Sequence, residues 1–231
     1  MPNERPLGTV LVTGGSSGLG AAVATAVEEQ GGTAVVLDRV APSNGFAFEQ
    51  VDLAHPRAAE EAVTRAAERA GGLDAVVTAA GTDACGDIGD VDPDAWDRVV
   101  LVNLLGTAAV VRAALPHLER SRGRVVTVAS TLGLRALPAA TAYCASKFGV
   151  VGFTRALAIE MGDRVGVTML IPGGMKTQFF DGRPENFKPG PDQLLNDPRD
   201  VAESVVFALR QPPGVELREL LVTPAGEPSW P

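Results

Sequence analysis

Residues 9–32 read TVLVTGGSSGLGAAVATAVEEQGG, and this stretch decides the fold. It begins as a short apolar run of strand type and ends as an alanine-rich run with helical spacing. Gly14, Gly15, Gly18 and Gly20 lie between the two. A glycine-rich step from strand to helix allows a tight turn and lets another group approach the backbone closely. The free N–H groups and positive dipole end of the following helix then suit a phosphate. The spacing is T-G-x-x-x-G-x-G over Thr13–Gly20, which differs from the common G-x-G-x-x-G pattern. A loop of this kind also occurs as a plain structural turn, so its context matters. Here a second strand-like run follows and ends in Asp38, where a carboxylate can accept hydrogen bonds from the ribose of an adenine nucleotide.

The alternation continues along the chain. Strand-type runs occupy 9–13, 33–38, 47–52, 73–81, 123–130, 164–173 and 217–223. Most are rich in Val and Leu rather than alternating, as expected of strands covered on both faces. Helical spacing occupies 19–30, 56–70, 95–118, 141–161 and 199–210. Asp-Pro steps open two of these helices at Pro93 and Pro198, where a proline ring interrupts no helical hydrogen bond. Strand–helix repetition predicts an α/β fold, a doubly wound parallel sheet with right-handed crossovers and helices on both faces. Residues 174–197, rich in Gly and Pro, break the pattern, and a long irregular segment in a compact domain is commonly a functional lid.

Composition narrows the function classes. A formal charge of -8 argues against nucleic acid or an anionic membrane surface as partner. Cys85 and Cys144 are the only cysteines, without metal-ligand spacing, so no metal site is expected and reduced thiols are. The N-terminal MPNERPLG is polar and unlike a signal peptide, and no uncharged apolar run approaches a membrane span. The expectation is a soluble, cytoplasmic protein.

Tyr143 is the sole tyrosine, and Lys147 follows one helical turn later on the same face, in AYCASKFGV. A tyrosine ordinarily titrates near pH 10, and a neighbouring ammonium favours the phenolate, which would suit acid/base work. Ser130 closes the preceding strand, where its hydroxyl can hold a substrate oxygen. Asn103 is a polar amide inside the apolar run VLVNLLGT. Singly, these four read as a packing residue, a solvated charge, a helix cap and a satisfied interior amide. Behind a nucleotide loop they read together as a site.

The chain resembles the short-chain dehydrogenase/reductase family over essentially its whole length. The resemblance rests on the loop at 13–20, Asp52 in VDL, AAG at 79–81, Asn103, Ser130, Y-x-x-x-K at 143–147, and Pro172-Gly173 followed by Thr177. It implies one Rossmann-like domain over 1–231 and hydride transfer between a nicotinamide and a secondary alcohol or ketone. By the same resemblance Tyr143 is the acid/base, Ser130 orients the substrate oxygen, and Lys147 binds the nicotinamide ribose and lowers the tyrosine pKa. Asn103 maintains a water-linked proton path to the lysine. The cofactor contacts implied are Gly14, Ser16, Ser17, Gly18, Leu19, Asp38, Asp52, Leu53, Ala80, Gly81, Tyr143, Lys147, Pro172, Gly173, Met175 and Thr177, with Asp52 on the adenine amino group. Thr177 and the Met175 backbone are implied to hold the carboxamide, and Phe179 and Phe180 either line the substrate site or pack the lid.

NAD is the expected cofactor because of Asp38. NADP is the alternative because Arg39 follows it, where NADP-using members often carry a basic residue. A homo-oligomer is implied, a tetramer ahead of a dimer, through the helices over 95–118 and 141–161. One departure stands out. The family pattern Asn-Asn-Ala-Gly reads TAAG at Thr78–Gly81, removing an amide that steadies the central sheet. The C-terminal stretch DVAESVVFALRQPPGVELRELLVTPAG resembles members acting on hydroxy acids and small polar alcohols. Two other readings of the same residues are a silent nucleotide-binding scaffold and an epimerase or dehydratase using the Tyr–Lys pair.

Overall fold

The computed structural model describes residues 4–227; Met1–Asn3 of the polar N-terminal stretch and residues 228–231 lie outside the described residues. All seven strand-type runs are strands: β1 (Thr9–Thr13), β2 (Thr33–Asp38), β3 (Ala47–Gln50), β4 (Ala75–Thr78), β5 (Arg124–Val128), β6 (Gly166–Pro172) and β7 (Glu219–Val222). They form one sheet in the order β3-β2-β1-β4-β5-β6-β7, and every pair is parallel. The order reverses between β1 and β4, which places a crevice at the carboxyl ends of those two strands.

Strand residues alternate between two apolar layers. Val10 and Val12 of β1 face one layer with Val23 and Val27 of α1 (Gly18–Glu29) and Val201 and Val205 of α6 (Pro198–Leu209). Leu11 faces the other, with Val63 of α2 (Pro56–Ala70), Val110 of α4 (Thr107–Ser121) and Leu157 of α5 (Thr141–Met161). Burial on both faces explains the near-continuous Val/Leu runs.

The helix expected over 95–118 is longer and is not uniform. It starts as α3 (Pro93–Val100), passes through a π-helical turn at Leu101–Gly106 and continues as α4. Asp92 caps it by accepting from the Ala95 N–H, and Asp197 caps α6 by accepting from the Arg199 N–H. The whole helix Pro93–Ser121 is long and apolar enough by composition to cross a membrane. Half of its most apolar window is buried in the fold, as a helix flanking a sheet requires. Residues 174–197 are irregular, with two short 3₁₀ turns at Gln178–Phe180 and Glu185–Phe187. A parallel bridge between Met175 and Asn196 closes the segment at its base.

Candidate active site

The glycines of the first loop are required by the chain's own close packing as well as by any ligand. Gly14 sits at φ 70°, and a Cβ there would lie 2.8 Å from the Ala80 Cα. A Cβ on Gly20 would lie 2.2 Å from the Gly14 carbonyl oxygen. The loop at the end of β1 is thereby pressed against the loop at the end of β4, and Thr13 Oγ1 accepts from the Ala80 N–H at 3.1 Å. Ser17 stands at the N-cap of α1 with its side chain making no cap bond, so the first N–H groups of α1 face the crevice without a side-chain partner. Leu19 is buried under the loop.

Asp38 closes the far side of this loop. Its carboxylate accepts from the N–H groups of Ser16 (3.1 Å), Arg39 (2.6 Å) and Val40 (3.3 Å), while the Ser16 hydroxyl donates to the Val40 carbonyl. Asp52 is committed within the chain. One oxygen accepts from the Ala54 N–H at 2.9 Å and the other from Arg98 at 2.7 Å. Burial would raise its pKa, but Arg98 and the Ala54 N–H outweigh burial and hold the carboxyl below its ordinary value.

Tyr143, Lys147, Ser130 and Asn103 converge at the mouth of β4 and β5. Lys147 is buried, and its ammonium donates to the Val128 carbonyl at 2.7 Å while lying 5.7 Å from the centroid of the Tyr143 ring. Desolvation pushes the lysine down to about 8. Burial pushes the Tyr143 hydroxyl up to about 12. A hydrogen bond from Ser130 and the Arg183 charge oppose this rise, and the Asp83 charge adds to it. At this hydroxyl burial outweighs the groups that favour the phenolate. Ser130 Oγ also accepts from the Leu132 N–H, which fixes its direction at the end of β5.

Asn103 lies in the π-helical turn, and its amide is fully engaged. It donates to the Thr82 carbonyl (2.9 Å) and to Ser146 Oγ (3.0 Å), and it accepts from the Thr82 N–H (2.8 Å). Ser146 in turn donates to the Tyr143 carbonyl. The structure therefore shows a tie between the β4 loop and α5, one turn from the tyrosine, where the sequence suggested a proton path. π-turns inside α-helices often mark functional sites.

The TAAG departure is also resolved locally. Thr78 Oγ1 is buried without a partner, and the loop after β4 is held instead by Thr13 and Asn103. Pro172 ends β6, and Gly173 and Gly174 follow, with the Gly174 N–H donating to Glu227. Thr177 Oγ1 accepts from the Phe179 N–H, and the Thr177 side chain lies where a Cβ on Gly18 would be 3.4 Å away, so the root of the lid touches the glycine loop. Sequence reasoning passed over Asp83, Arg183, Ser146 and Glu227. Asp83 and Arg183 are 100 residues apart in the chain and belong to no spacing pattern, yet they form an ion pair of 2.5 Å inside the cleft.

One cleft of about 1180 Å³ runs from Asp38 and Asp52 past Gly14, Ser17, Gly18, Leu19, Gly20, Ala80 and Gly81 to Ser130, Tyr143, Lys147 and the lid; Ser16 and Asn103 are not part of its lining. The long cleft, the glycine cradle and the carboxylate at the end of β2 are features of the dinucleotide-binding α/β class of folds. The family model described as "short chain dehydrogenase" matches residues 8–187, and the chain belongs to that oxidoreductase family. It is 34% identical over 226 residues to an "uncharacterized oxidoreductase" of Staphylococcus aureus strain MW2, covering 93% of this chain and 96% of that protein. Among solved structures, a short chain dehydrogenase from Burkholderia cenocepacia in complex with NADP is similar at 30% identity and a TM-score of 0.82. That match covers 95% of this chain and 98% of the other. An alcohol dehydrogenase from the archaeon Thermococcus sibiricus, complexed with 5-hydroxy-NADP, is similar at 25% identity and a TM-score of 0.83, over 93% and 95% of the two chains.

Proposed function

We propose that this protein transfers hydride between a nicotinamide dinucleotide and a secondary alcohol or ketone, with Tyr143 as the group that exchanges the substrate proton. The observation that carries the reading is the convergence of Tyr143, Lys147 and Ser130 at the end of a cleft whose other end is a glycine cradle facing Asp38. The bound nicotinamide supplies or accepts the hydride. The Tyr143 hydroxyl, kept protonated through neutral pH, is set to donate to a carbonyl oxygen, and Ser130 holds that oxygen beside it. Lys147 stays at the floor of the site on the Val128 carbonyl, within reach of the tyrosine ring. Asn103 acts as a positioning residue for the β4 loop and α5. Residues 174–197 serve as a lid, with Phe179 packed on Tyr143 at 5.7 Å between ring centroids.

The residues present fit a dinucleotide. Gly14, Ser16, Ser17, Gly18 and Leu19 would cradle the pyrophosphate, and Asp38 would meet the adenosine ribose. Asp52, Leu53, Ala80 and Gly81 would flank the adenine end, and Pro172, Gly173, Met175 and Thr177 the carboxamide. NAD is favoured because the Asp38 carboxylate, held by three backbone N–H groups, would repel a 2′-phosphate brought beside it. The similar structures with NADP make that the alternative, through Arg39. Cytoplasmic placement and a homo-oligomer follow as part of this reading. Leu105, Phe148 and Ile159 are exposed on the π-turn and α5, where a second copy would cover them. The test is a screen of alcohols and ketones with each cofactor, following the absorbance of reduced nicotinamide. Turnover with net change of cofactor supports the reading. Turnover without net change would favour an epimerase, and absence of any turnover with intact cofactor binding would favour the scaffold.

A further inference from the structure

Asp83 lies two residues past the Gly81 turn, and its side chain is 6% exposed. It is held rigidly: one oxygen accepts from the Ala84 N–H at 2.7 Å, and the other accepts from the Cys85 thiol at 3.2 Å. Opposite it stand Phe179 and Phe180, edge to face at 5.6 Å, with Phe179 against the Tyr143 ring. A guanidinium fills the space between. The Arg183 Cζ is 5.0 Å from the Phe179 centroid and 4.6 Å from that of Phe180, and its terminal nitrogen donates to Asp83 at 2.5 Å. A carboxylate and two aromatic faces around a cation are the arrangement by which proteins bind organic ammonium groups.

We propose that Asp83, Phe179 and Phe180 form a cation subsite beside Tyr143, that the substrates of this enzyme are alcohols or carbonyl compounds bearing an ammonium group, and that Arg183 is the chain's own occupant of that subsite. The proposal rests on the reading of this cleft as the substrate site. Three considerations select a cation over a carboxylate. First, a ligand that breaks the pair must replace one of its partners. A cationic ligand replaces Arg183, which belongs to the irregular lid and can extend into water. A carboxylate ligand that drew Arg183 from Asp83 would leave a fixed, buried carboxylate uncompensated and facing a second anion, the costly outcome for a broken buried pair. Second, the guanidinium fits imperfectly. Its Nε is buried without a partner, and its remaining bond, to the Phe187 carbonyl, is long at 3.3 Å. An ammonium group has no planar fork to satisfy. Third, the charges of both Asp83 and Arg183 act on the Tyr143 hydroxyl, so the subsite lies within electrostatic reach of the reacting end of the cleft. The subsite runs against the hydroxy-acid resemblance of the C-terminal stretch.

The test uses the intact protein with nicotinamide dinucleotide present and three probes of similar size, butylammonium, 1-butanol and butyrate, titrated calorimetrically at fixed ionic strength. Wild type should bind butylammonium at least fivefold more tightly than 1-butanol and butyrate least. Asp83→Asn should erase the ammonium preference. Arg183→Gln, which removes the internal occupant, should tighten butylammonium binding several-fold, and this variant decides the matter should Asp83→Asn fail to fold. A wild-type preference for butyrate that Arg183→Gln abolishes would overturn the proposal, as would equal affinity for the three probes. Because the readout is binding, it stands apart from turnover. An enzyme that binds butylammonium through Asp83 but moves no hydride would refute the oxidoreductase reading and leave the subsite intact.

Discussion

The glycine loop and the lid face each other across one cleft, and different forces hold them. The loop is fixed by backbone. Gly14 and Gly20 admit neighbouring main chain at distances where no side chain fits, Thr13 holds the Ala80 N–H, and Asp38 collects three N–H groups. The lid between 174 and 197 has no strand pairing beyond the Met175–Asn196 bridge. Across the cleft it is held by side chains, the Asp83–Arg183 pair and the ring of Phe179 on Tyr143, with Phe180 edge-to-face on Phe179. Backbone constraints admit few residue types and tolerate no drift. Side-chain constraints can be met in many ways. One side of the cleft can therefore be specific for a shared cofactor while the other is free to vary with the substrate.

The largest expected effect lies where the two sides meet. Tyr143→Phe keeps the ring against Phe179 and removes the hydroxyl. Hydride transfer should fall by about a hundredfold or more, the scale of a positioned acid/base group, while cofactor affinity measured by fluorescence titration stays within a factor of two or so. Near-normal kcat in this variant would show that the lid side, not the tyrosine, carries the chemistry.

The fixed side can be probed through Lys147, whose ammonium is buried on the Val128 carbonyl with its pKa pushed down to about 8 from 10.5. A depressed lysine binds its proton less readily folded than unfolded. Its stability contribution is therefore present above pH 10.5 and is lost as pH falls through 8. Unfolding free energies of wild type and Lys147→Met, compared by urea titration, should diverge in favour of wild type as pH rises from 8 to 10. The full swing is on the order of 3 kcal/mol. A constant gap would mean that the lysine is solvated in both states.

These contrasts also explain what the sequence makes legible. The seven strands, the parallel sheet and the helix starts at Pro93 and Pro198 follow from apolar runs, strand–helix alternation and Asp-Pro steps, which are signals within short stretches of chain. Tyr143 and Lys147 are visible because one helical turn joins them. The Asp83–Arg183 pair was not visible, since its members are separated by 100 positions and only the crossing of the lid over the β4 loop unites them. The engagement of Asn103 was half visible. A buried amide needs partners, but which partners depends on a π-turn that apolar periodicity does not announce. The upward push on the Tyr143 hydroxyl is likewise a consequence of burial, which only the packed structure specifies.

A smaller effect is expected at the adenine end. Asp38→Ser removes the carboxylate that accepts from Ser16, Arg39 and Val40. With that charge gone, Arg39 is free to meet a 2′-phosphate. The ratio of kcat/KM for NAD over NADP should fall about tenfold, corresponding to about 1.4 kcal/mol. A wild-type enzyme that already prefers NADP would show that Arg39 sets the choice while Asp38 serves the loop.

The smallest effect tests whether the rigid side is rigid for the reason given. Thr78 ends β4 between Thr13 of β1 and Thr127 of β5, and its residue is 2% exposed. Its hydroxyl is buried and unpartnered, in the stretch where the family pattern has Asn-Asn-Ala-Gly. A buried polar group without a partner forfeits its hydration and gains nothing in exchange, whereas an apolar group of the same shape loses nothing. Thr78→Val keeps the branched shape and the strand preference. It should raise stability by about 1 kcal/mol, read as a higher urea midpoint with unchanged slope. Cofactor affinity should stay the same, because the Ala80 N–H is held by Thr13 and the Thr82 backbone by Asn103. Destabilisation of similar size would mean that the Thr78 hydroxyl stands in for the family's amide after all. The β4 loop would then depend on a side chain, as the lid does, rather than on the packing of its backbone.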